Sequence, residues 1–156
     1  MYWSKLTFGK HAGKTLPQIV FVDCDWFFWA YEEGVFEGDG FLQDEAERIC
    51  RRAVRIRIPR RGAQKVLAEY GIDPALGTFA NVEIVLDDRP THQGSTPTIR
   101  LPYFDLSVPR RLARYDKSGC KALVRALKVY VFGDGDYQLT RKRCEEFFEN
   151  DANFVL

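Results

Sequence analysis

Three groups of basic side chains are spaced so that they could hold an anion. In Gly9-Lys10-His11-Ala12-Gly13-Lys14, two lysines straddle a turn whose glycines leave backbone N–H groups open. Such a turn can cradle a phosphate, with the lysines as point charges and His11 as a stacking or hydrogen-bonding surface. The competing reading is that the glycines only shape the turn and the lysines are solvated. The second group is Arg48, Arg51, Arg52, Arg55, Arg57, Arg60 and Arg61, seven arginines within fourteen residues. Asp44 with Arg48 and Glu47 with Arg51 have i,i+4 spacing, worth about 0.2–0.5 kcal/mol each on a helix. Arg55 and Arg57 share one face of an alternating stretch and have no acid nearby in sequence. With Arg52, Arg60 and Arg61 they make a track for a phosphate backbone or an acidic protein, unless Glu83, Asp87 or the acidic last helix neutralises them. The third group is Lys117, Lys121, Arg125 and Lys128, which fall in one quadrant of a helix, with Arg110, Arg111 and Arg114 leading into it. A solvated helix face has the same pattern. Arg141-Lys142-Arg143 stand in the first turn of the last helix, where each cation opposes the dipole by roughly 0.3–1 kcal/mol. They call for an anion, intramolecular or external.

Catalytic chemistry has little to stand on. Asp134-Gly135-Asp136 lacks the acid spacing of a calcium loop and has the composition of a turn. Neither His11 nor His92 has a nucleophile or acid at motif spacing, and the glycine turn is not a P-loop. Cys24, Cys50, Cys120 and Cys144 are scattered without a CxxC pairing, so no metal or cofactor is expected. They are expected to be small buried hydrophobes in a reducing compartment, in preference to a disulfide pair.

The elements that carry these residues follow from periodicity. Leu6 to Leu16 reads as a tight hairpin, and Pro17 opens a short turn. Asp23 or Asp25 caps a helix that ends at Gly34, and its run Asp25-Trp26-Phe27-Phe28-Trp29-Ala30-Tyr31 is too apolar to face water. Glu37-Gly38-Asp39-Gly40 is the best boundary. Leu42, Ala46, Ile49, Cys50 and Ala53 then predict a helix over 41–53. Residues 54–58 alternate as a strand that Pro59 limits. Residues 64–70 read as a short helix stopped by Gly71. Two further strands, around 82–86 and over 98–106, read as an antiparallel pair joined by the polar connection 87–97. Helices follow from Asp116 to Gly133 and after Thr140. The order predicts an α+β fold, a small antiparallel sheet with several packed helices. Residues 1–38 form a hairpin-helix module and 39–156 an α+β body, packed together as one globular unit.

The charge balance excludes a global electrostatic role. Lys plus Arg (23) and Asp plus Glu (22) nearly cancel, so any attraction to nucleic acid must be local. No apolar run approaches the roughly 20 residues needed to cross a bilayer, and no leader pattern is present. A cytoplasmic protein without a membrane partner is expected.

Phe8-Gly9-Lys10, then Gly13-Lys14, then Trp26-Phe27-Phe28-Trp29 resembles the small module at the C-terminus of exodeoxyribonuclease X, also found alone in short bacterial and phage proteins called putative quorum-sensing-regulated virulence factors. The likeness covers residues 7–36, with Phe27 where the family more often has an aliphatic residue. It implies a nucleic-acid-associated accessory module. It does not imply nuclease activity, which in that enzyme belongs to an N-terminal metal-binding fold that this chain does not show.

Together these readings predict a non-catalytic accessory protein of phage, plasmid or bacterial type. It would bind DNA, RNA or a nucleoprotein complex through Lys10, His11, Lys14, Arg52, Arg55, Arg57, Arg60, Arg61, Lys121, Arg125 and Lys128. The alternative is a protein-binding subunit or inhibitor of a nucleic-acid-processing complex. A hydrolase or nuclease with a dispersed site is the third.

Overall fold

The computed structural model describes residues 2–60, 62–91 and 97–156; Arg61 and His92 lie outside the described residues. The fold is α+β. Gly9 (φ +74°) and Gly13 (φ +87°) supply the left-handed backbone of the opening hairpin, closed by Leu6 N–H to Lys14 O (2.9 Å) and Gly13 N–H to Leu6 O (2.7 Å). Pro17 does not open a turn. It sits in the first turn of helix α1 (Leu16–Val22), where its missing N–H would have had no partner. Asp23 ends α1 and immediately caps α2 (Cys24–Glu32), accepting from the Trp26 N–H at 3.2 Å. As its composition demands, α2 is core: Cys24, Phe27, Phe28 and Ala30 are buried. Helix α3 (Gly40–Ala53) is capped by Asp39 and buries Leu42, Ala46, Ile49 and Ala53 along one stripe.

The sheets depart further from expectation. The alternating stretch contracts to β1 (Ile56–Arg57), paired with β5 (Tyr103–Phe104). The expected helix at 64–70 is instead strand β2 (Val66–Ile72), the centre of a three-stranded antiparallel sheet ordered β3-β2-β4. Its local helix formers yield because Ala68, Glu69, Tyr70 and Gly71 pair on both edges, and pairing outweighs local propensity. Strands β3 (Phe79–Leu86) and β4 (Thr98–Leu101) therefore flank β2 and do not pair with each other. Register places Glu69 opposite Arg100, and the two form a buried ion pair at 2.6 Å. Helix α4 (Val108–Leu112) leads to α5 (Lys117–Phe132), which packs on β3 and α2. The chain ends in α6 (Arg141–Glu149), set against α1, and a 3-10 turn, Asp151–Asn153.

One apolar cluster runs from Trp3 and Leu6 through α1, α2 and α3 to Leu123, Phe148 and Phe154. Through it passes a Cys24–Cys120 disulfide, Cα to Cα 6.0 Å, which corrects the expectation of four free thiols. All four cysteines lie on helices and all but the half-buried Cys50 are buried, but nothing in the spacing shows that the N-terminal end of α2 meets the first turn of α5. A disulfide also removes the cysteine argument for a reducing compartment. Cys50 and Cys144 remain free; burial pushes the Cys144 thiol up to about 12. No helix among the described residues is long and apolar enough to cross a membrane.

Candidate nucleic-acid interface

The hairpin is organised by Asp23. Its Oδ2 accepts from Lys10 Nζ at 2.9 Å and lies 3.0 Å from His11 Nε2. Burial opposes the charge on Asp23, but the hydrogen bonds from Lys10, His11 and the Trp26 N–H win and hold its carboxyl below the usual range. The same bond to Asp23 raises Lys10. An ionised carboxylate only accepts, so His11 donates through Nε2. Its Nδ1 is left buried without a partner.

His11 is 7% exposed and packs edge-on against Trp26, with centroids 5.0 Å apart. This corrects the expectation of a stacking surface, because no face of the ring is open to a base. The backbone cradle also loses donors. The N–H groups of Ala12, Gly13 and Lys14 bond within the turn, to Gly9 O, Leu6 O and His11 O. What the hairpin offers outward is Lys10, paired with Asp23, and Lys14, half-buried and without an ion pair among the described residues.

Burial holds the His11 imidazole below its ordinary value, outweighing Asp23. A histidine whose folded pKa is depressed takes its proton first in the unfolded chain, so stability falls as pH drops below about 6.5. Asp23, also depressed, contributes stability above about pH 4 that is lost as pH falls through its folded value. Chemical denaturation across this range is expected to show loss in two windows. His11→Gln should abolish the upper one, and an unchanged profile in that variant would contradict the assignment.

The arginine group is divided by the fold. Arg52 is buried; it donates to Phe148 O (3.2 Å) and Asp151 Oδ1 (2.6 Å) and lies over the Phe154 ring. Arg57 donates to Ala152 O and Phe154 O at 3.2 and 3.0 Å. Both fasten the C-terminal segment, Arg52 from a buried position and Arg57 from an exposed one. The sequence could not show this, because the acceptors are mainly backbone carbonyls nearly a hundred residues away. Arg55 stacks over Tyr103 at 5.2 Å and stays exposed, as does Arg60, which forms no ion pair among the described residues. Arg48 lies over Trp3, and Glu47 accepts from Gln43. The cations at the start of α6 find intramolecular partners: Arg141 with Glu145, Lys142 with Glu146, and Arg143 with Gln138 O and the Tyr137 ring.

The third group gains most. Lys121, Arg125 and Lys128 line one groove of about 370 Å³ on α5, with Val22 and Val124 on its floor and Asp136 at its edge. None of the three forms a hydrogen bond or ion pair among the described residues. One turn earlier on the same face stands Lys117, next to Lys10 of the hairpin. The structure thus joins the hairpin to α5, and leaves Arg52 and Arg57 on other work.

A second cleft, of about 520 Å³, lies between α2, α3 and α4 and was not selected from the sequence, although Arg110, Arg111 and Arg114 were noticed there. Arg110 grips Glu32 (2.9 Å) and faces Asp25 (3.6 Å), while Arg111 contacts buried Asp105. Arg114 has no ion pair among the described residues, and Tyr115 beside it is exposed with φ +59°. The acids that neutralise this cleft come from α2 and from the residue that follows β5, which no local pattern could reveal. Among the described residues no three His, Cys, Asp or Glu side chains come together as a metal site. Compared with protein-family models, curated proteins and solved structures, the chain matches none.

Proposed function

We propose that the protein is a non-catalytic, nucleic-acid-associated accessory protein whose contact surface is the basic face of α5, with Lys117 and Lys10 at its head. One observation carries the reading. Lys121, Arg125 and Lys128 project from one helix face without acid partners, whereas the buried arginines elsewhere are consumed by the fold. Unpaired cations along about three turns of helix can follow a phosphate backbone, and each one engaged releases a counterion. The resemblance of residues 7–36 to a nucleic-acid-associated module supports the same reading.

Fluorescence anisotropy with labelled single- and double-stranded DNA and with RNA tests it. Lys121→Glu with Arg125→Glu is expected to abolish binding at low salt. Arg57→Gln should leave affinity within about twofold, because its donors face the C-terminal backbone. Equal loss in both variants, or loss in neither, would refute the assignment of this face.

A further inference from the structure

Four carboxylates are buried among the described residues: Asp25, Glu45, Glu69 and Asp105. Three of them have an arginine. Asp25 faces Arg110, Glu69 pairs with Arg100, and Asp105 contacts Arg111. Glu45 has none. It is 9% exposed, its Oε1 accepts only the Ser4 N–H (2.8 Å), and its Oε2 is buried with no donor. An acceptor left in that condition has lost its hydration without a replacement donor. The neighbouring Arg48 does not relieve it, being placed over the Trp3 ring at 5.7 Å.

Glu45 lies in a groove of about 540 Å³ between the N-terminal residues and the start of α3. The rim has a particular character. Tyr2 and Phe41 are each 82% exposed, large rings that folding has left in water in the same groove as the carboxylate, with Asp44 adding a second acid and Arg48 completing the lining. Flat aromatic faces attract cations through their quadrupole, and a planar guanidinium can stack on them while its N–H groups reach a carboxylate. An ammonium would satisfy the charge but not use the rings as well.

We infer that this groove is a docking site for an arginine side chain of a protein partner, whose guanidinium stacks against Tyr2 or Phe41 while a rotation of the Glu45 carboxylate brings Oε2 to the groove and gives it its missing donor. The surface is separate in sequence and chemistry from the basic face of α5, so either can fail without the other. An acidic, aromatic groove on one element and a basic face on another suit an accessory protein that contacts a basic protein and nucleic acid together.

The test is a titration of the ¹⁵N-labelled chain with the capped peptide Gly-Gly-Arg-Gly-Gly, set against the same peptide with citrulline in place of arginine. The expected result is saturable shifts of the Ser4, Phe41, Asp44 and Glu45 amides with the arginine peptide, in the millimolar range suited to one side chain. The citrulline peptide should give at least about tenfold weaker binding, as should Glu45→Gln, which keeps the shape and removes the charge. Phe41→Ser, a change at an exposed ring, should weaken binding without altering the rest of the spectrum. Equal shifts with citrulline, retained binding in Glu45→Gln, or no saturable shift with the arginine peptide would overturn the inference.

Discussion

Reducing the Cys24–Cys120 disulfide, or replacing Cys120 with alanine, is expected to lower the free energy of unfolding by about 4 kcal/mol. The size follows from the 96-residue separation of the two cysteines, because a cross-link that closes a long loop removes much of the freedom of the unfolded chain. For a chain of this length the loss corresponds to roughly 8–16 °C in Tm. The bond also has a position that matters for the proposed surface. Cys24 follows Asp23, which holds Lys10, and Cys120 lies in the first turn of α5 beside Lys117. Cross-linking them therefore keeps the hairpin and the basic helix face in one arrangement. Thermal denaturation with and without reductant measures the effect, and a difference under about 1 kcal/mol would show that this cross-link contributes little.

Arg100→Met is expected to cost about 3–5 kcal/mol, as large an effect as any single substitution here. Arg100 and Glu69 are side by side across β4 and β2, with side chains only 14% and 10% exposed, and Arg100 also donates to the Pro90 carbonyl at 3.0 Å. Removing the guanidinium leaves a carboxylate with no way to recover its hydration. The informative comparison is the double variant Glu69→Met, Arg100→Met. Replacing both partners of a buried pair by apolar groups is often close to neutral, so the double variant should recover most of the loss. Urea denaturation of the two single variants and the double one gives the coupling directly. If the double variant is no more stable than Arg100→Met, the orphaned charge is not the cause.

Sequence and structure agree where the controlling interaction is local. Gly9 and Gly13 mark the hairpin because only a residue without a Cβ adopts their positive φ cheaply. Helix α3 is legible because its buried positions recur with the helical period, and α2 because a segment so apolar has nowhere else to go. The failures share a different cause. Residues 66–72 contain helix formers, yet two neighbouring strands decide their conformation, and both lie outside any local window. Arg52 and Arg57 look like a cationic track until the C-terminal turn arrives to take their hydrogen bonds. His11 seems available beside two lysines, but Asp23 and Trp26 fold over it from the next two helices. Glu45 reads in sequence as part of an acidic segment, because a glutamate in the first turns of a helix is ordinary, and only the fold shows that one of its oxygens is buried without a donor.

The corrected site is smaller than the sequence implied and easier to test. On the hairpin and α5, Lys10, Lys14, Lys121, Arg125 and Lys128 keep their cations available or nearly so, joined by Lys117, while Arg55 and Arg60 stay exposed on another segment. The central claim is that these cations engage phosphates along α5, and the dependence of binding on salt tests it most directly. With about four phosphate contacts, log K should fall with log salt at a slope near −3.6, a loss of roughly a hundredfold between 50 and 200 mM. The triple variant Lys121→Gln, Arg125→Gln, Lys128→Gln should flatten that slope by about three. A slope near zero in the native protein, or an unchanged slope in the triple variant, would contradict the account.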